Sequence, residues 1–248
     1  MTIDFPKQSH ISGLRTLWKE AFGDTDLFLD HFFRTGFSHS RCRCILDGDQ
    51  PVAALYWFDC QWQEKKLAYV YAVATAKGHR GQGLCHQLME DTHRLLSDYH
   101  GIVLVPAQPT LFSFYEKMGY RCFGGIRQWK ATADDSIPLQ EIDHMQYVAQ
   151  RNQYLPGNSI LHDGNLMEFL GTYTRFYQGS NFLICCADND GSLMGYELLG
   201  NPTAASGILA ALGFSDGTFR APGDAPFAMY RSLNSDDRLP GYYAFALD

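Results

Sequence analysis

At 248 residues, with 46% apolar and 19% charged residues, the chain can bury one large core or two small ones and is too apolar to be disordered. The formal net charge is -7 and no run of Lys and Arg follows a phosphate backbone, which argues against nucleic acid and for a cationic substrate. No apolar run approaches the roughly 18 residues of a membrane span, and "MTIDFPKQSH" is not a signal peptide, so no membrane partner, a cytoplasmic location and reduced thiols are expected.

In chain order, Leu14, Leu17, Trp18, Ala21 and Phe22 recur at helical intervals. Asp24 is placed to cap a second helix carrying Leu27, Phe28, His31 and Phe32. "RCRCILD" and "PVAALYWFDC" flank the turn "GDQ" and predict a hairpin, with "KLAYVYAVAT" as a further strand. The loop "KGHRGQG" leads into a helix through about Asp98, with Leu84, Leu88, Leu95 and Leu96 on its inner side. "GIVLVPA" reads as a strand buried on both faces, "TLFSFYEKMGY" as a helix stopped near Gly119, and "RCFGGIRQWKA" as closing strands.

The polar "TADDSIPL" predicts a boundary, giving a first domain over 1–135 and a second over 136–248. In the second, "LQEIDHMQYVAQRNQYL" and "GNLMEFLGTYTRFY" read as helices and "NFLICCADNDGSLMGYELLG" as a hairpin. "ASGILAALGF" is a glycine-ended helix, and "PFAMYRSL" and "GYYAFALD" are strands. This half has no "RGQG" loop, which suits a scaffolding copy. Neither Cys42 with Cys44 nor Cys185 with Cys186 has a partner pair at metal-ligand spacing, so no metal is expected.

In "HRGQGLC" two glycines precede a helix, whose first amides are unpaired and can clasp a pyrophosphate. A Walker A loop would carry Lys and Ser or Thr where Leu84 and Cys85 stand. A dinucleotide fingerprint would have a third glycine at His86.

The segment resembles motif A of the GNAT acetyltransferase superfamily, whose R/Q-x-x-G-x-G/A loop holds the pyrophosphate of acetyl-CoA. Arg80 and Gly83 match, and Cys85 departs from the small final residue. "FSFYEKMGY" resembles the family's Y-x-K-x-G-F/Y helix end. The resemblance covers roughly residues 40 to 130. It implies an α/β (α+β) GNAT fold with a mixed central sheet, and an N-acetyltransferase with acetyl-CoA as co-substrate. The implied cofactor-binding positions are Ala72 and Val73 on the strand, then Arg80, Gly81, Gln82, Gly83, Leu84 and Cys85 in the loop.

By the same match Tyr115 is the general acid that protonates the departing coenzyme A thiolate, and a phenol of pKa ~10 holds its proton at neutral pH. Deprotonating an alkylammonium costs on the order of 4 kcal/mol at neutral pH. No carboxylate lies between Leu67 and Thr75, Glu64 precedes that strand, and a water relayed through Tyr69 or Tyr71 is the first candidate base.

The paired amino-terminal helices and a second, degenerate GNAT-like half resemble the enhanced intracellular survival acetyltransferases without their third domain. In that family the terminal carboxylate is implicated as base, which points to Asp248. Trp18, Phe22, Tyr56, Trp57, Phe58, Tyr69 and Tyr71 suit core packing better than an acceptor pocket. The expected acceptor is a small-molecule or lysine-type amine. A non-catalytic acyl-CoA module and a transferase for longer acyl groups stay open, as does a homo-oligomer.

Overall fold

The computed structural model describes residues 1–162, 164–243 and 245. The first half runs β1 (Thr2–Asp4), α1 (Ile11–Phe22), α2 (Asp26–His31), β2 (Cys42–Asp47), β3 (Gln50–Trp62), β4 (Lys65–Thr75), α3 (Leu84–Leu95), β5 (Gly101–Leu104), α4 (Thr110–Glu116) and β6 (Arg121–Thr132). The second runs β7 (Gln140–Ile142), α5 (His144–Tyr154), β8 (Ile160–His162), α6 (Gly164–Leu170), β9 (Arg175–Gln178), β10 (Phe182–Asn189), β11 (Ser192–Gly200), α7 (Ala205–Leu212), β12 (Asp216–Pro222) and β13 (Ala225–Ser232).

All these strands join one mixed sheet in the order β1-β2-β3-β4-β5-β13-β6-β12-β11-β10-β9-β7, with β8 against β3. Strand alternation sorts its two faces. Leu183 and Cys185 face the core that holds α1, α2, α5 and α6, whereas Phe182, Ile184 and Cys186 face α7. Trp57, Ala68 and Val70 face α3 and α4. The first of these cores runs from Trp18 through Phe169 to Leu199, so both halves share it.

The halves also exchange strands. β13 lies between β5 and β6, with Met229 opposite Leu104 on one side and Cys122 on the other. β6 in turn pairs β12 from Asp216↔Thr132 to Pro222↔Ile126. Two parallel pairs, β4 with β5 and β11 with β12, sit in equivalent places in the two halves. The first strand of each pair, β4 and β11, is bulged, with register shifts opposite Ala54/Tyr56 and Cys185/Cys186.

Several sequence expectations are corrected. The cap of α2 is Thr25, which accepts from Phe28 N–H at 3.2 Å, while Asp24 accepts from the Trp18 indole at 2.7 Å. Leu95 is on the outer side of α3, 37% exposed. The expected helix from Leu139 begins with β7, and that from Gly164 ends at Leu170, before β9. Polar Gln140, Glu141, Arg175 and Gln178 pair along these short edge strands, where tertiary pairing overrides propensity. "RCFGGIRQWKA" is a single strand. "GYYAFALD" is no regular strand over its described residues; Tyr242 makes an isolated bridge to Ser159. The short β1 and β8, and β12, have no counterpart in the sequence reading.

Candidate active site

β4 and β5 pair at three positions only, Leu67↔Gly101, Ala68↔Ile102 and Tyr69↔Val103. Beyond Tyr69, β4 runs on to Thr75 while β5 ends at Leu104, so the strands part and β4 offers an unpaired edge. Within that edge Tyr71 faces Tyr56 and Ala74 faces Ala54, so Ala72 and Val73 together oppose Leu55. Ala72 takes φ +50°, and the bulge re-aims the backbone where pairing ends.

The edge leads into the glycine loop. Arg80 Nε donates to the Thr75 carbonyl at 3.0 Å, which folds the exposed side chain back over the strand end. Glu20 of α1 accepts from the backbone N–H of Lys77 and ties the loop to the opposite face. Gly81 and Gly83 take φ +77° and +75°, left-handed conformations that glycine adopts without strain, and a Cβ at either would meet nothing within 4 Å. Gly83 is the N-cap of α3, no side chain caps the helix, and the first helical bond is Gln87 N–H to the Gly83 carbonyl at 3.0 Å. The amides of the first turn and the positive end of the helix dipole therefore face open space beside Arg80, a fit for a pyrophosphate. Leu84 buries its side chain and offers only its backbone to the loop.

Tyr115 sits near the end of α4, 6% exposed, and burial and then the neighbouring Cys85 push its hydroxyl well above the usual phenol range. Cys85 is half-buried in the first turn of α3, and burial pushes its thiol up to about 11. The thiol is thus protonated at neutral pH and a poor nucleophile. Val73, Leu84, Cys85 and Tyr115 share one apolar cluster, which draws the strand, the loop helix and α4 together.

The profile of the acetyltransferase (GNAT) domain matches residues 2–123. Residues 2–123 are a GNAT acetyltransferase domain. Solved structures share the fold across both halves. A GCN5-related N-acetyltransferase from Kribbella flavida matches with a TM-score of 0.70 at 15% identity, covering 94% of this chain and 72% of that one. Its counterpart from Anabaena variabilis gives 0.68 at 16%, covering 94% and 73%. Eis1 from Mycobacterium abscessus gives 0.65 at 9%, covering 94% and 74%. No curated protein matches the chain.

Around the GNAT site, Trp18, Tyr56, Trp57, Phe58, Tyr69 and Tyr71 are 8% exposed or less and pack as core, as their spacing suggested. Trp18 alone has ring contacts at 4.5 Å with Phe32 and 5.1 Å with Tyr56. Phe22 is 43% exposed. Asp248, the terminal candidate base, lies outside the described residues. A groove of about 970 Å³ opens elsewhere, between α7 and strands β6 and β12, lined by Arg127, Trp129 and Thr203 among others, and none of the loop residues reaches it. Sequence reading missed the polar contacts behind Tyr115, where His93, Tyr120 and Arg231 meet from three separate segments. No spacing rule links them.

Proposed function

We propose that the chain moves acetyl from acetyl-CoA to a primary amine by direct attack within a ternary complex. The observation that carries the reading is the unpaired, bulged edge of β4 running into the uncapped start of α3, with Tyr115 near Cys85 in the same apolar cluster. Backbone at Ala72 and Val73 would hold the pantetheine arm as an added strand does. Arg80 and the amides from Gly81 to Cys85 would hold the pyrophosphate.

In the reaction the amine nitrogen bonds to the acetyl carbon, the carbon–sulfur bond breaks, and the thiolate takes the proton of Tyr115. Burial keeps that phenol protonated across neutral pH, and the phenolate left behind is basic enough to regain a proton from the amine or from water. The protonated Cys85 supports a route without an acyl-enzyme. The net charge of -7 favours a cationic acceptor, a small-molecule amine or a lysine side chain. The seven free thiols fit a cytoplasmic setting.

Calorimetry with acetyl-CoA, followed by thiol release with spermidine, kanamycin and a lysine peptide, tests this. Binding with amine-dependent release is expected. Binding without release from any amine would favour a non-catalytic module, release only from longer acyl donors would change the donor, and no binding would end the reading.

A further inference from the structure

Behind Tyr115 a line of contacts joins the loop helix to the inserted final strand. α4 ends with Gly119 at φ +81°, Tyr120 N–H donating to the Tyr115 carbonyl at 3.2 Å and Gly119 N–H to that of Glu116 at 2.9 Å. These two bonds form a Schellman ending, which brings the side chains at its two ends together. Accordingly the rings of Tyr115 and Tyr120 lie 5.7 Å apart, edge-on at 68°.

Tyr120 is held in turn. Its Oη lies 2.9 Å from Nε2 of His93 on α3, while Arg231 Nη1 of β13 lies 2.5 Å from His93 Nδ1 and 2.9 Å from Glu90 Oε1. A guanidinium only donates, so Nδ1 accepts. The proton of the neutral imidazole is therefore on Nε2, which donates to Tyr120 Oη. Burial and the Arg231 charge keep the ring neutral, bringing it down to about 4. Tyr120 and His93 are 2% and 5% exposed, so little water competes for this bond.

Tyr115 itself has no hydrogen-bond partner for its hydroxyl among the described residues, so neighbouring packing sets its ring. We infer that Arg231, His93 and Tyr120 are positioning residues for Tyr115, fixing the acid against the same helix whose start forms the phosphate loop. The inference rests on the acetyltransfer reading. His93 follows Cys85 by eight residues, about 12 Å along one helix, so donor loop and acid share a rigid support. A displacement of about 1 Å at a reacting group can cost about a hundredfold in rate.

The test is a double-mutant cycle on the full chain, with acetyl-CoA as donor and hydroxylamine, unprotonated at neutral pH, as acceptor. Tyr120→Phe keeps the ring and removes the hydroxyl. It should lower kcat about tenfold with KM for acetyl-CoA unchanged, and should have no further effect in a Tyr115→Phe background. His93→Gln, which keeps an amide donor, should retain more activity than His93→Leu. If Tyr120→Phe weakens folding, the Arg231→Leu cycle gives the same comparison. Unchanged kcat in Tyr120→Phe, or equal losses with and without Tyr115, would overturn the positioning role. Full turnover in Tyr115→Phe alone would instead overturn the assignment of the acid.

Discussion

Arg151 and Glu197 pair with almost no access to water: Nε lies 2.7 Å from Oε2 and Nη2 2.8 Å from Oε1, with side chains 2% and 0% exposed. Tyr147 Oη donates to Oε2 at 2.7 Å and Arg151 Nη1 to the Ile160 carbonyl at 3.2 Å, so the Arg151 guanidinium ties α5 to both β8 and the bulged β11. Removing one partner of such a pair leaves the other charge buried. Glu197→Ala should therefore cost about 3 to 5 kcal/mol, and Arg151→Met with Glu197→Leu should cost less than either alone. Urea unfolding of the wild type, the three single variants and the double variant checks both statements.

The left-handed turn at Gly83 opens α3 and would shape the proposed phosphate loop. A Cβ there meets no neighbour, so Gly83→Ala should strain only the backbone, by about 1 to 2 kcal/mol. Relaxation of that strain would tilt the first amides of α3. The expected result is at least a tenfold rise in the acetyl-CoA dissociation constant by calorimetry, with the unfolding midpoint only slightly lowered.

Tyr115→Phe removes the proposed acid and keeps the ring. Turnover should fall by about 10² to 10⁴ while acetyl-CoA affinity holds, because protonation of the thiolate concerns only the transition state. Rapid-quench and calorimetric measurements on the same preparation separate the two.

Cys85, held protonated by burial, should react slowly with iodoacetamide at neutral pH, and acetyl-CoA should slow it further. Cys85→Ala should keep turnover within about threefold. Mass spectrometry of the enzyme after incubation with acetyl-CoA should find no acetyl group on this residue.

Acid should weaken the fold through His93. Its folded value near 4 lies below the ordinary 6.5, so the unfolded chain binds more protons between the two. The contribution is fully present above about pH 6.5 and is lost as pH falls toward 4, by on the order of 3 kcal/mol. His162, pushed the same way by burial and by Arg151, acts in the same direction. Thermal unfolding between pH 7 and 4.5 should show a shallower decline for His93→Gln than for the wild type.

Much of the site was legible from local chemistry. The glycines at 81 and 83 announce positive φ, and both adopt it. Gly119 announces a helix stop, and it takes φ +81° in the turn that follows α4. The hairpin turning at Asp190 and Gly191 was equally local. The bulge at Ala72 was not, since it depends on which residues of β3 lie opposite. The short strands β1, β7 and β8 were hidden because three residues carry no period.

Residue type and spacing thus determined the glycine turn before α3 and the stop after α4, because backbone conformation and helix ends are set within a few residues, while the expected roles of the loop and of Tyr115 came from the family resemblance. The tertiary structure decided the rest. Only it shows β13 entering the first half's sheet between β5 and β6, and Arg231 arriving from that strand against His93, 138 positions away. Strand order and buried polar partners depend on contacts far apart in the chain, for which local spacing carries no signal.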